Sequence, residues 1–306
     1  MLPREEAEYL VVAGPTAVGK TVIALEVAEA LDGEIVIADS RQVYRGLDIG
    51  TAKPSAEERA RVPHHLLDVV DPGERYTAAD YAAQAGAAID AIRARGRVAV
   101  VCGGTGLYLA ALAGALDPVE ESADETQREK ARARVEAIPV AERHAALARY
   151  DQDSATRLHA ADRQRVDRAL EVWFLTGERL SRLQSGGRPP RPHLAVALDR
   201  PRAELAARID RRLDAMLETG LESEARGLWE AGWTPEDPGI DTIGYQEWWP
   251  HFEGVRGRDE TIADIRAATR RYAKRQSTWF RNQGDYQALP AGAGREQVIE
   301  LWRRRR

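Results

Sequence analysis

Four short runs of aliphatic and β-branched residues punctuate an otherwise polar chain: EYLVVAG near 8 to 14, EIVIAD at 34 to 39, RVAVVCG at 97 to 103 and HLAVALDR at 193 to 200. Their lack of alternation predicts strands buried on both faces of a sheet. Between the first two, TVIALEVAEALDG has helical apolar spacing and closes on a glycine. Before the third, TAADYAAQAGAAIDAIRARG opens with Thr77 and Asp80 at the N-cap and N3 positions of a capping box. Strand, helix, strand, helix predicts a parallel α/β sheet, which binds ligands beyond the carboxyl ends of its strands. The loops after Ala13, Ala38 and Val101 are expected to converge on one cleft.

Residues from about 117 to 190 break this rhythm. They are charged and helix-forming (ADETQREKARARVEAI, AERHAALARY, DRQRVDRALEVWFLTG) and carry no strand signal. We read a helical insertion domain over 117–190, ending in the loop QSGGRPPRP, between core segments 1–116 and 191–306. The remainder has a helical pattern, with a long segment from about Asp259 to Arg281, and no internal repeat is visible.

The strongest chemical signal is Gly14-Pro15-Thr16-Ala17-Val18-Gly19-Lys20-Thr21, which matches G-x-x-x-x-G-K-[ST] after a predicted strand and before a predicted helix. Backbone N–H groups of such a loop converge on phosphate, the lysine pairs with its oxygens, and the Thr21 hydroxyl can ligate Mg²⁺. The run VAVVCGGTG ends in no carboxylate, which weakens an ATPase or motor reading. At the end of EIVIA, Asp39 is placed at the cleft mouth, either as a proton acceptor for an incoming nucleophile or as a cap for the next turn. Thr105, between two glycines, is either a helix N-cap or a hydroxyl offered to a ligand.

Composition narrows the picture. The 306 residues allow two domains, and no apolar run approaches the roughly 20 residues of a membrane helix. The N-terminal segment has no basic leader or cleavage site, so a cytoplasmic location is expected. One cysteine, Cys102, makes neither an internal disulfide nor a thiolate zinc site, and reads as a small buried residue at a strand end. The net charge of −5 excludes a uniformly basic surface, yet Thr261 to Arg306 holds eleven Lys or Arg against four acids. That segment is either a polyanion-facing surface or a solvated helix face with a basic tail.

The segments GPTAVGKT, DSRQVYRGLDIGTAKP, HHLLDVVDP, YTAADY, GGTGLYL, QRVDRALEV, TIGYQE and TRRYAKRQSTWF occur in this order from about residue 10 to 283. Together they resemble the bacterial tRNA dimethylallyltransferase (tRNA isopentenyltransferase) family, which the phosphate loop alone would not establish. The resemblance implies a P-loop NTPase-like parallel sheet flanked by helices. It implies transfer of a dimethylallyl group from dimethylallyl diphosphate to N6 of adenine 37, in tRNAs reading codons that begin with U, with release of diphosphate and help from Mg²⁺. The partners implied are the tRNA anticodon stem-loop and the prenyl diphosphate, with no membrane, and a monomer is expected.

Carried onto this chain, the resemblance gives Asp39 as general base with Thr105 beside it. Gly14, Pro15, Thr16, Ala17, Val18, Gly19, Lys20, Thr21 and Arg212 (in RIDRRLDAM) would hold diphosphate, with Thr21 toward the metal. It gives tRNA contacts at Asp39, Ser40, Arg41 and Gln42, at Thr105, and at Gln164, Arg165, Val166, Asp167 and Arg168. Further contacts are implied at Gly244, Tyr245 and Gln246 and at Arg270, Arg271, Lys274 and Arg275, with Arg128 by a looser match. Gly106 stands where relatives can carry other residues, and no zinc-finger extension of the eukaryotic kind is expected. The competing readings are a small-molecule kinase, a prenyltransferase acting on free adenine nucleotides, and an RNA-binding module with a nucleotide switch.

Overall fold

The four apolar runs form the centre of one six-stranded sheet in the computed structural model, which describes residues 6–114, 125–185, 191–290 and 292–305. The strands are β1 (Tyr9–Ala13), β2 (Gly33–Ala38), β3 (His64–His65), β4 (Val98–Gly103), β5 (His193–Asp199) and β6 (Gln287–Pro290). All pair in parallel, in the order β3-β2-β4-β1-β5-β6. Leu10 of β1 lies opposite Val100 on one side and Leu194 on the other, which fixes the register of the central three strands. The two edge strands were not legible from pattern. β3 has only two residues, and β6 alternates half-buried with exposed positions among polar neighbours.

Successive strand residues point to opposite faces, so each central strand contributes to two cores. On one face, Leu10, Val12, Ile35, Ile37, Val100 and Val196 pack on Ala24, Leu25, Val27 and Ala28 of helix Lys20–Ala30, and Trp302 of helix Arg295–Arg303 joins them. On the other, Val11, Val36, Val101 and Ala197 meet Tyr81, Ala85, Ile89 and Ile92 of helix Ala78–Ala94. Burial of Ile89 and Ile92 stabilises by roughly 1.5–3 kcal/mol each. The helix starts where Thr77 accepts the Asp80 N–H at 3.1 Å and the Asp80 carboxylate accepts the Thr77 N–H at 2.9 Å. That is the expected capping box.

Placing β4 between β1 and β2 makes neighbours of the three loops that leave their carboxyl ends, which is where a doubly wound sheet opens a cleft. A third cluster, with Tyr44, Leu47, Leu213, Tyr245, Trp248 and Ile265, packs the loop after β2 against the chain beyond β5.

The chain divides into two compact units, Met1–Leu112 with Arg191–Arg306, and Ala113–Pro190. The second is helical: Glu125–Glu136, Arg143–Tyr150, Gln152–Arg157, Arg163–Thr176 and Leu180–Ser185 surround a small core of Val135, Leu147, Val166 and Leu170. Its buried Asp151 accepts the N–H and O–H of both Ser154 and Ser181, tying two helices together. Gln184 and Ser185 of the expected loop QSGGRPPRP close the last helix, and its residues 186–190, like 117–124 at the expected start of the insertion, lie outside the described residues.

At the amino end of β2 the Glu34 carboxylate, 3% exposed, accepts hydrogen bonds from His65 Nε2 at 2.6 Å and from Arg95 Nη2 at 2.7 Å. Burial pushes this carboxyl up, and the bonds from Arg95 and His65 together outweigh burial, so it titrates below its usual value. Its stabilisation is therefore complete above the unfolded carboxylate pKa of about 4.3 and is lost as pH falls through the lower folded value. Glu34→Gln is expected to cost about 1–3 kcal/mol at neutral pH. In urea unfolding, the gap from wild type should shrink on acidification.

Candidate active site

The phosphate loop leaves β1 and enters helix Lys20–Ala30 through Gly19, whose φ of 107° is a conformation that favours glycine. Ala17 also takes a left-handed conformation, with φ 62°, and this strained turn is held by its surroundings. Three arginines brace consecutive loop residues. Arg212 Nη1 donates to Thr16 Oγ1 at 3.3 Å, Arg208 Nε to the Ala17 carbonyl at 2.7 Å, and Arg200 Nε to the Val18 carbonyl at 2.8 Å. The Ala17 and Val18 carbonyls are thus occupied, as is the Thr16 hydroxyl.

In front of the loop lies a cavity of about 310 Å³ lined by Ala17, Gly19, Lys20, Thr21, Val22, Arg208, Arg211 and Arg212. Four of the eight are cations and none is a carboxylate. Burial pulls the Lys20 ammonium below its ordinary value, opposed by Cys102 and Asp39. Burial likewise lowers Arg212, with Asp39 again opposing. Clustered cations depressed by desolvation are relieved by an entering polyanion, which therefore binds where it is most needed. Among the described residues no group of three or more His, Cys, Asp or Glu can hold a metal ion. A hard cation here would use the Thr21 hydroxyl and the ligand's own phosphate oxygens, the donor set that suits Mg²⁺.

Asp39 follows β2, and both roles weighed for it coexist. Its Oδ1 accepts the Arg41 N–H at 2.9 Å, forming a turn, and no described residue is bonded to Oδ2. Thr105, after β4, does not cap its own helix with its side chain. Its Oγ1 instead accepts the Ser40 N–H at 3.0 Å, coupling the loops after β2 and β4. Tyr272 of helix Arg258–Asn282 lies near Thr105, and burial, with Asp39 adding, pushes its hydroxyl up to about 12. Cys102 is the expected buried thiol, pushed up to about 11 by burial and so neutral at physiological pH.

Several expected RNA contacts take other roles. Val166 is 1% exposed in the core of the helical unit and presents no side chain to a ligand. Asp167 is half-buried and pairs with Arg143 Nη1 at 2.6 Å. Tyr245 is fully buried; its hydroxyl accepts the Gly50 N–H at 2.9 Å and donates to Glu224, whose carboxylate also accepts the N–H groups of Asp48 and Ile49. It anchors the loop after Ser40-Arg41-Gln42 from beneath. Gly244 is buried beside it, while Gln246 is half-buried. Arg270 is paired with Asp210 at 2.5 Å, and Arg266 with Asp214 at 2.8 Å, so two cations of the basic segment brace helix Arg202–Thr219. Arg271, Lys274 and Arg275 are exposed at i, i+3 and i+4 of the same helix. Gln164 and Arg165 are exposed on helix Arg163–Thr176, Arg168 approaches Glu171 at 3.5 Å, and Arg128 is half-buried on helix Glu125–Glu136.

Pro15 has no N–H to give, and Val18 is a core side chain, so their part is to shape the loop. The sequence reading missed Arg208 and Arg211. The signal was present: Arg208, Arg211 and Arg212 stand at i, i+3 and i+4, and so share one helical face.

The IPP transferase family model matches residues 42–283 of this chain. A tRNA dimethylallyltransferase of Halorhodospira halophila is 48% identical over 286 residues, covering 91% of each chain. That of Trichlorobacter lovleyi is 47% identical over 277 residues, covering 90% of each. Among solved structures, the full-length tRNA isopentenylpyrophosphate transferase of Bacillus halodurans superposes with a TM-score of 0.70 at 38% identity, covering 97% of this chain and 95% of that one. A eukaryotic dimethylallyltransferase acting on tRNA gives 0.79 at 30% identity, covering 92% of this chain and 73% of that one. With a match over most of its length, and a phosphate loop facing a strand-end carboxylate, the chain belongs to the IPP transferase family of tRNA-prenylating enzymes.

Proposed function

We propose that the chain transfers a dimethylallyl group from dimethylallyl diphosphate to N6 of adenine 37, in the anticodon loop of tRNAs that read codons beginning with U. The observation that carries this reading is the cavity walled by Lys20, Arg208, Arg211 and Arg212, across the strand ends from Asp39. An allylic C1–O bond ionises when charge on the departing diphosphate is stabilised, and the loop N–H groups, Lys20 and Arg212 act where that charge develops. The Thr21 hydroxyl would help hold Mg²⁺, which when bound would further neutralise charge on the leaving diphosphate. The N6 amine is a weak nucleophile because its lone pair is delocalised into the ring. Asp39 Oδ2 orients it and takes its proton as the C1–N6 bond forms and the C1–O bond breaks. Thr105 and Ser40 hold the Asp39 loop in place.

The target base leaves the anticodon stack to reach the cleft. Arg271, Lys274 and Arg275 grip backbone phosphates, and Gln164, Arg165, Arg168 and Arg128 are the RNA contacts we assign to the helical unit. Replacing Arg271, Lys274 and Arg275 with alanine is expected to lower the salt dependence of tRNA binding, log K against log salt, by about 2 to 3. Turnover at saturating tRNA should stay within about twofold. We take the enzyme to act as a monomer, and no described helix is long and apolar enough to cross a membrane. A cytoplasmic location fits its RNA substrate.

The test combines purified protein, Mg²⁺, radiolabelled dimethylallyl diphosphate and tRNA with adenines at 36 and 37, followed by digestion to nucleosides. Label on the adenosine supports the reading. Label on AMP in a parallel reaction, with none on tRNA, assigns the free-nucleotide reaction, and ADP formed from ATP with an acceptor assigns a kinase.

A further inference from the structure

We infer that Gln276 is a positioning residue for prenyl transfer, its carboxamide setting the spacing between the loop that holds the leaving diphosphate and the loop that carries Thr105. The inference rests on the prenyl-transfer reading above.

Gln276 is a buried glutamine, 6% exposed, on helix Arg258–Asn282. Its Oε1 accepts the Thr16 N–H at 2.8 Å and its Nε2 donates to the Gly104 carbonyl at 2.8 Å. The partners fix the amide's orientation, because an N–H requires the oxygen and a carbonyl requires the nitrogen. Each end therefore holds one loop of the cleft. Thr16 belongs to the phosphate loop and receives Arg212, while Gly104 precedes Thr105, which accepts the N–H of Ser40, the neighbour of Asp39. One side chain thus spans from the leaving-group end of the reaction to the nucleophile end.

The glycines of Gly103-Gly104-Thr105-Gly106 are shaped to this helix. A Cβ on Gly104 would stand 2.4 Å from Gln276 Nε2, and one on Gly106 would stand 2.2 Å from Trp279 Nε1. Gln276 and Trp279, about one turn apart, seat against two glycines two residues apart. Tyr272, one turn earlier, lies near Thr105. The reacting carbon and nitrogen must meet at about 3–3.5 Å, and a misplacement of about 1 Å costs about 10²-fold. A side chain that sets the distance between the two loops is placed to control that approach.

The test is steady-state prenylation of tRNA by wild type, Gln276→Met and Gln276→Glu from about pH 5.5 to 8.5. Methionine keeps the length of glutamine and lacks both hydrogen-bonding groups. It is expected to lower kcat by about 10²-fold with KM for tRNA within about threefold. Glutamate still accepts the Thr16 N–H, but donates to the Gly104 carbonyl only when protonated. Its kcat relative to wild type is expected to recover by about tenfold or more as pH falls across that range. Lys20, Asp39, Cys102, Arg208, Arg211, Arg212 and Tyr272, titratable groups of the same cleft, are common to both proteins, so the ratio isolates position 276. A Gln276→Met enzyme within about threefold of wild-type kcat, or a Gln276→Glu ratio flat with pH, overturns the inference while leaving the function intact. If the methionine variant does not fold, the glutamate profile decides. A wild-type protein that makes no prenylated nucleoside overturns both.

Discussion

Asp39→Ala is expected to lower kcat for tRNA prenylation by about 10² to 10⁴, the usual cost of removing a general base. The affinity for tRNA should change far less, because the substitution leaves the exposed cations Arg271, Lys274 and Arg275 in place. The donor side carries a sharper signature. Asp39 is the carboxylate that Lys20 and Arg212 feel across the cleft. Deleting it leaves those cations less compensated, so inorganic diphosphate should bind as tightly as before or more so. Single-turnover chemistry and calorimetric titration with diphosphate check the two halves separately. A variant that loses tRNA and diphosphate binding along with turnover would mean that Asp39 chiefly holds the Arg41 turn.

Lys20→Ala is expected to lose about 10² to 10³ in kcat, the scale seen when one donor to a developing oxyanion is removed. Here donor binding should weaken as well, since in the proposed reaction the ammonium faces the diphosphate before and during ionisation. The pattern is thus the reverse of Asp39→Ala. Arg208 and Arg211 remain in the cavity wall and keep some anion affinity, so calorimetry should find diphosphate binding weakened rather than abolished. Product formation unaffected by this substitution would point to an RNA-binding module in which the loop serves only as a nucleotide switch.

The contrast between these variants rests on features that the linear chain exposes unequally. The central strands and the phosphate loop are local signals: apolar runs of five to seven residues for the strands, and glycine spacing before a helix for the loop. Asp39 and Thr105 are readable as strand-end residues. Their partners are not. Thr105 bonds to Ser40 across 65 residues, and Gln276 to Thr16 across 260. Nothing in TRRYAKRQSTWF announces which of its polar residues turn inward. Tyr245 looked like an RNA contact and proves to be a buried brace, because its hydroxyl finds Glu224 and Gly50. The basic segment reads as one positive surface in sequence, yet Arg266 and Arg270 are spent on Asp210 and Asp214 of a neighbouring helix.

By itself the sequence determined the parallel α/β sheet, the helical character of the insertion, the phosphate loop, and through its ordered motifs the family. These follow from local periodicity and from residue types whose chemistry is intrinsic. The tertiary structure alone decided which arginines wall the cavity, which cations stay exposed, and how Gln276 joins two loops. Those are properties of distance between residues far apart in the chain, and a hydrogen bond or ion pair exists only once folding has brought its two halves within about 3 Å.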